Sequence, residues 1–237
     1  YGVLVHRPKN IDNCNQIFTR DVGFVIDNYF FKSNILPKRN KEFDGIKRII
    51  NSFNGEIINI PEKVHVEGGD ILSLKNNIFI GYYSKKDYPN LITARTNKEA
   101  IIYFEKFFSN KNIKGFQLKK SNTNPLNNIL HLDCCLQLVG KDKAIIYPDA
   151  FTFKKDYLWL QSFFGEENIF EINNKEMYEM NSNILPINHN VIVSDPSFIR
   201  LNNWLESKGF DVEKVSFNEI SKQEGLFRCT SVLLIRN

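Results

Sequence analysis

Residues 67–118 carry the pattern that decides the fold: EGGD at 67–70, the extended runs ILSL and NIFIGYY, the stretch TNKEAIIYFEKFF, and IKGFQL. The order is a short polar segment, two strands, a helix and a third strand. In the helical stretch, Ile101, Phe104 and Phe108 fall at i, i+3 and i+7, which predicts one apolar stripe buried against the strands. We therefore interpret this region as one ββαβ unit.

The same order of elements recurs along the chain. FTRD precedes VGFVID in the first unit, HLD opens the third, and Asn183 precedes ILPI and VIVSD in the fourth. We call these polar segments the preludes. The positions that share one register are Asp21, Asp70, Asp133, Asn183 and Thr230. Their spacings of 49, 63, 50 and 47 residues indicate stacked or radial units, none of which can bury its apolar face alone.

The two ends of the chain each carry half a unit. RCTSVLLI at 228–235 ends the chain, and GVLVH at 2–6 begins it. Pairing of these halves would complete a fifth unit and close the array, which would remove exposed sheet edges. We therefore predict an α/β fold, a five-bladed pseudosymmetric propeller of ββαβ repeats around a central active site, in one domain spanning residues 1–237.

Composition excludes several classes of protein. The chain is 42% apolar and 24% charged, with a net charge of +4 and no basic run, so we expect neither disorder nor binding to nucleic acid. Apolar stretches are too short to span a bilayer, so we expect no membrane association. The cysteines, at 14, 134, 135 and 229, lack zinc spacing and disulfide density, which favours a reducing, cytoplasmic location.

Radial units place equivalent positions around one axis, so the preludes should converge on a single site. The residues they supply are Asp21, Glu67, Asp70, His131, Asp133 and Cys229. Clustered acids repel each other unless a cation neutralises them, and a guanidinium or amidinium can donate paired hydrogen bonds to two carboxylates. A metal ion is the rival cation, but this donor set matches neither an all-oxygen shell nor a zinc tetrahedron. We expect no metal or cofactor.

Cys229 and His131 complete a chemistry for such a substrate. A thiolate is a strong nucleophile that can attack the electrophilic carbon of the cation, and an imidazole can move protons for the leaving group and water. The positive charge of the substrate would itself stabilise the thiolate. The pattern therefore predicts covalent catalysis on a small cationic substrate.

The motifs FTRD with GFV, EGGD, ARTN at 94–97, HLD and the C-terminal Cys-Thr resemble those of the guanidino-group-modifying enzymes. This superfamily includes arginine deiminase, dimethylarginine dimethylaminohydrolase and glycine amidinotransferase. The resemblance implies the pentein fold, a five-bladed α/β propeller. It also implies that Cys229 forms a covalent thiouronium intermediate, that His131 is the general acid and base, and that Glu67 orients the imidazole and contacts the guanidinium.

The resemblance further implies which residues bind the substrate. Asp21 and Asp133 would clamp the guanidinium nitrogens, and Arg95 would hold the α-carboxylate. Asp70 stays open between a structural and a binding role. Among the remaining residues near the motifs, Arg228 is interpreted as a rim contact or a surface residue, and Cys134 as part of the core.

The activity implied is hydrolysis of arginine or an arginine derivative, as in a deiminase or a dimethylarginine dimethylaminohydrolase. Asp133 favours an unsubstituted guanidinium, whereas the short chain is similar in length to methylarginine hydrolases and to amidinotransferase-like proteins. Two alternatives stay open: transfer of the amidino group to an amine, and a non-catalytic binding module like the ribosome anti-association factor, which is similar in architecture. The sequence leaves open whether the protein forms a homo-oligomer.

Overall fold

Four three-stranded sheets form the body of the protein in the computed structural model, which describes residues 1–235. The first unit contains β1 (Gly23–Ile26), β2 (Tyr29–Lys32), α1 (Glu42–Asn51) and β3 (Glu56–Asn59). The second contains β4 (Ile71–Leu74), β5 (Asn77–Tyr82), α2 (Lys98–Phe107) and β6 (Asn112–Gln117). The third contains β7 (Leu136–Val139), β8 (Lys143–Ile146), α3 (Lys154–Phe164) and β9 (Ile169–Glu171), followed by the short helix α4 (Asn174–Tyr178). The fourth contains β10 (Leu185–Pro186), β11 (Val191–Ser194), α5 (Ile199–Ser207) and β12 (Asp211–Lys214).

All four sheets share one topology. The first two strands of each unit form an antiparallel hairpin, and the third strand pairs parallel to the second. A parallel pair needs a crossover connection, and the helix of each unit supplies it. Three hairpin turns use left-handed backbone, at Asp27 (φ 52°), Lys75 (φ 53°) and Gly140 (φ 61°), as tight turns between twisted strands require. The ββαβ repeat predicted for these four units is confirmed.

Aromatic packing between neighbouring units supplies much of the core. Phe104 of α2 lies 5.1 Å from Phe31 and 5.9 Å from Phe24, measured between ring centroids, and both partners belong to the first unit. Burial of a phenylalanine side chain contributes about 1.5–3 kcal/mol. Phe104 and Phe108 are buried and Ile101 is half-buried, so the predicted stripe does face the core.

The chain ends do not form the strands that the sequence suggested. Within residues 1–235, neither 2–6 nor 228–235 carries a strand, and the side chains of 2–6 are exposed. Val232 and Leu234 instead pack against the apolar cluster of the first unit, and the backbone amide of Arg20 donates to the carbonyl of Cys229 at 3.0 Å. The last segment therefore meets the first unit through side-chain packing and isolated hydrogen bonds, not through a strand ladder.

The helices of the described chain are all too short or too polar to cross a lipid bilayer.

Candidate active site

Three of the preludes are short 3-10 helices that stand immediately before the first strand of their unit. They span Thr19–Val22, Gly68–Asp70 and Leu132–Cys134. Because each has the same place in its unit, the three bring their acids to one region between the sheets. The predicted site residues that are almost fully buried are Asp21, Glu67, Asp70, His131, Asp133 and Cys229. Charged side chains are rarely buried so completely unless they are paired.

His131 and Glu67 form the central pair. The imidazole Nε2 lies 2.8 Å from Glu67 Oε2, and Arg95 Nη1 lies 3.2 Å from Glu67 Oε1. Burial alone lowers the pKa of His131, but the charge of Asp21 and the hydrogen bond with Glu67 outweigh it and raise the pKa to about 10. Burial raises the pKa of Glu67, yet the pairing with His131 and the charge of Arg95 bring it below its usual value. The pair is therefore an imidazolium and a carboxylate at neutral pH.

Asp21 lies on the other side of the imidazole. Its Oδ1 is 3.7 Å from His131 Nδ1, and Arg39 Nη1 donates to its Oδ2 at 2.7 Å. The Arg39 guanidinium also makes two hydrogen bonds to Glu42, at 2.8 and 2.9 Å. Sequence reasoning missed Arg39. An arginine three residues before the glutamate that begins a helix most often forms a solvent-exposed ion pair with it.

Asp133 lies beside the thiol of Cys229. Each of its carboxylate oxygens is 3.9 Å from Cys229 Sγ, and Arg228 Nε approaches Oδ2 to 3.2 Å. Burial, partly offset by the charge of Arg228, raises the pKa of Asp133 to about 6. The interpretation of Arg228 as a rim or surface residue was wrong. Its side chain is buried, and it also donates to the carbonyl of Ile71 at 3.0 Å.

The side chain of Cys229 contacts Asn183, a residue that the sequence pattern marked only by its position in the repeat. Asn183 Nδ2 lies 3.1 Å from Cys229 Sγ. The hydrogen bond with the neighbouring thiol of Cys134, burial and the charge of Asp133 raise the pKa of Cys229 well above its ordinary value. These surroundings therefore favour the neutral thiol of Cys229 at neutral pH. Cys134 is buried, as predicted, but it also belongs to this cluster through its contact with Asp133 Oδ1 at 3.8 Å.

The glycines of EGGD let the preludes approach each other closely. A Cβ on Gly69 would lie 2.8 Å from Cγ of the His131 ring, and a Cβ on Gly68 would lie 2.2 Å from the carbonyl oxygen of Arg20. Real Cβ atoms do not come so close to other atoms, so any side chain here would separate the first three preludes. This steric requirement explains the glycine pair next to Glu67.

Asp70 connects two units instead of facing the thiol. Its Oδ2 accepts from Thr96 Oγ1 at 2.6 Å, and its Oδ1 accepts from the backbone amide of Leu132 at 2.8 Å. Burial raises its pKa. Both oxygens thus have protein partners, and these contacts fix the HLD segment and the ARTN segment relative to each other.

Asp21, Glu67 and His131 could also present ligand atoms to a metal ion, since one atom from each lies within 4.8 Å of the others. The same three side chains form an ion-pair network with Arg39 and Arg95, which contact Asp21 and Glu67.

The site combines a thiol, an imidazolium able to donate a proton, and acids that can pair with a planar cation. This set, carried by repeated ββαβ units, defines the class of guanidino-group-modifying enzymes. The model of the eukaryotic N,N-dimethylarginine dimethylhydrolase family matches residues 2–236. The chain belongs to this family.

The chain is also similar to a curated bacterial protein and, in fold, to solved structures. The uncharacterised protein YkgA of Bacillus subtilis strain 168 is 27% identical over 222 residues, which cover 93% of this chain and 70% of YkgA. The substrate-bound N-terminal domain of ArgZ, an arginine dihydrolase of cyanobacteria, superposes with a TM-score of 0.75 at 18% identity, over 90% of this chain and 73% of that one. A dimethylarginine dimethylaminohydrolase adduct with a chloropyridine gives 0.71 at 21% identity, over 92% and 77%. The mixed α/β fold is therefore similar to that of pentein hydrolases acting on arginine derivatives.

Proposed function

We propose that the protein is a cysteine-dependent hydrolase of the guanidinium group of arginine or an arginine derivative. One observation carries the proposal: five side chains from four separate parts of the chain lie in one buried region, namely Asp21, Glu67, His131 with Asp133, and Cys229. A non-catalytic binding module has no requirement for a thiol and an imidazolium in such a site. Family membership and the solved relatives support the same chemistry.

Catalysis begins when the substrate cation binds between Asp21 and Asp133. Burial and the neighbouring Cys134 and Asp133 raise the pKa of Cys229; the positive charge of the substrate lowers it, and the thiol releases its proton to solvent. The thiolate attacks the guanidinium carbon, and the imidazolium of His131 donates its proton to the departing ammonia or alkylamine. This leaves a covalent thiouronium on Cys229.

Hydrolysis of the intermediate uses the same groups in reverse. His131, now neutral, accepts one proton from water as the oxygen attacks the thiouronium carbon. The C–S bond then breaks, and the remaining proton of that water passes to the sulfur of Cys229. The ureido product is citrulline when arginine is the substrate. Glu67 stabilises the imidazolium at each stage through its 2.8 Å hydrogen bond.

The remaining roles follow the resemblance and stay predictions. Arg95 would hold the substrate α-carboxylate, and its guanidinium also pairs with Glu67. Asp70 would support the site, because its oxygens are engaged by Thr96 and Leu132. The five-bladed arrangement, the cytoplasmic location and the absence of a metal or cofactor belong to the same proposal.

Intact-protein mass spectrometry after rapid quenching tests the proposal, with arginine, methylarginines and other guanidines as substrates and a colorimetric assay for ureido products. An adduct on Cys229 with citrulline formed from arginine would indicate a deiminase, and citrulline from methylarginine alone a dimethylargininase. An adduct without ureido product would favour amidino transfer. Cys229→Ser should abolish turnover while Cys14→Ser, at a half-buried cysteine outside the site, keeps it. Absence of any adduct and product would overturn the proposal.

A further inference from the structure

Asn183 occupies the register position that Asp21, Asp70 and Asp133 hold in the other units, but it carries an amide in place of an acid. The side chain is fully buried. All of its polar atoms meet the segment that bears Cys229 or the prelude that bears Asp133. The amide thus replaces the acid in the fourth unit, whose prelude contacts the segment that bears Cys229.

The orientation of the amide is determined by its partners. Oδ1 accepts two backbone hydrogen bonds, from Leu226 N at 2.9 Å and from Cys229 N at 3.1 Å. Backbone N–H groups only donate, so the group that they contact must be the carbonyl oxygen. The opposite end is therefore the NH2 group, which donates to Cys229 Sγ at 3.1 Å and to the carbonyl of Asp133 at 3.4 Å.

The backbone of Asn183 adds a further constraint. Its carbonyl accepts from the amide of Arg228 at 3.2 Å. Asn183 thus accepts hydrogen bonds from three backbone amides of the segment 226–229, those of Leu226, Arg228 and Cys229. It also donates a hydrogen bond to the sulfur of Cys229. The position of Cys229 Sγ relative to Asp133 depends on this residue.

A hydrogen bond donated to sulfur is stronger when the sulfur is charged. The groups that face Cys229 from the other elements oppose ionisation: the thiol of Cys134 and the carboxylates of Asp133 and Asp21 all raise its pKa. Arg228, paired with Asp133, offsets part of that charge. Asn183 contributes a neutral donor directed at the sulfur among these groups.

We propose that Asn183 is a positioning residue that orients Cys229 Sγ and favours its thiolate form through the Nδ2–H donor. This inference rests on the proposed function in one respect, that Cys229 is the nucleophile. An aspartate at this place would put another negative charge against the thiolate. The amide is the isosteric side chain that keeps both acceptor contacts and adds a donor.

The variant Asn183→Asp keeps an acceptor for Leu226 N and Cys229 N but replaces the N–H donor at the sulfur with a negative charge, so it reverses the effect that the amide has on the thiolate. The matched control is Asn181→Asp, the same change at another buried asparagine of the segment. Asn181 Oδ1 has no hydrogen-bond partner among the described residues. Alkylation of Cys229 by iodoacetamide, resolved by peptide mass spectrometry between pH 6 and 10, reports ionisation without turnover.

We expect Asn183→Asp to shift the alkylation profile of Cys229 upward by about one pH unit, a tenfold lower rate at a given pH. The kcat/KM profile should move in the same direction, and the lost rate should return as the pH rises. Asn181→Asp should retain the wild-type alkylation profile. An unshifted profile in Asn183→Asp, or an equal shift in both variants, would overturn the inference.

A second measurement uses the wild-type protein and so does not depend on the folding of a variant. The side-chain NH2 resonances of Asn183 should move as Cys229 ionises, and should move again when Cys229 is alkylated. Resonances that stay constant through both changes would contradict the hydrogen bond. Both measurements are independent of the substrate, so failure to turn over any guanidine would refute the proposed function and leave this test intact.

Discussion

His131 and Glu67 are joined by a 2.8 Å contact between Nε2 and Oε2, and each side chain is only 1% exposed. The two residues come from different units, 64 positions apart in the chain. A buried carboxylate beside an imidazole favours the protonated ring. This one relationship therefore supplies the proton that the proposed mechanism uses and determines part of the pH dependence of stability.

Stability should fall as the pH rises from about 6.5 to about 10. The pKa of His131 is raised in the folded state to about 10, compared with about 6.5 in an unfolded chain. The native state thus holds the extra proton, so its stabilising effect is complete below pH 6.5 and is lost on passing pH 10. The free energy of unfolding from urea titrations should decrease by about 1.4 kcal/mol per pH unit in this window.

The variant His131→Gln serves as the reference for that measurement, since it removes the titrating group. The difference between its unfolding free energy and that of the wild type should shrink across the window. A constant difference from pH 6.5 to pH 10 would contradict the raised pKa.

Asp133→Asn should discriminate between substrates. The carboxylate lies beside Cys229 and is positioned by Arg228, where it can accept from an unsubstituted guanidinium nitrogen. Loss of a charged hydrogen bond costs about 1.5–3 kcal/mol, so kcat/KM for arginine should drop roughly ten- to a hundredfold. The value for methylarginine should drop less. If both substrates lose equally, Asp133 does not determine the preference between them.

Asp70→Ala should destabilise the fold without a specific effect on substrate binding. It leaves the buried amide of Leu132 and the hydroxyl of Thr96 without their acceptor, and each unsatisfied group costs about 1–3 kcal/mol. The midpoint of thermal unfolding should fall, while KM in the remaining folded enzyme stays close to the wild-type value. A large rise in KM at unchanged stability would place Asp70 in the binding site.

Arg39→Met should lower the free energy of unfolding, because it leaves the buried carboxylates of Asp21 and Glu42 without the charge that neutralises them. Removal of one partner from a buried ion pair costs about 3–5 kcal/mol, and Arg39 serves both Asp21 and Glu42. The matched control is Arg48→Met, at an exposed arginine of helix α1, which follows Arg39 in the chain. Urea unfolding should show a large loss for Arg39→Met and a change within about 0.5 kcal/mol for Arg48→Met. Equal losses of unfolding free energy in the two variants would show that Arg39 does not stabilise the buried acids.

Much of the architecture could be predicted from the sequence because it depends on local patterns. The ββαβ order follows from apolar runs, helical periodicity and polar preludes within about fifty residues, and the structure confirms it in four units. The same reasoning suggested strands at 2–6 and 228–235, which the structure does not contain. Apolar character alone does not create a strand, since a ladder also needs a neighbouring backbone in register.

The candidate site was partly predictable for a related reason. Acids, a histidine and a cysteine at corresponding places in repeated units must converge when the units pack side by side. Asp70 shows the limit of that argument. It shares the register with Asp21 and Asp133, yet both of its carboxylate oxygens accept hydrogen bonds from Thr96 and Leu132. Register places a residue near the site, but hydrogen-bond partners determine its role.

The sequence by itself determined the repeat, the helices and strands of four units, and the set of residues proposed to act on a guanidinium. Only the tertiary structure decided the partners: Arg39 on Asp21, Arg228 on Asp133, and Asn183 on Cys229. These contacts join residues 18 to 95 positions apart. Their distances depend on how units pack against each other, which is a property of the whole core and not of any local pattern.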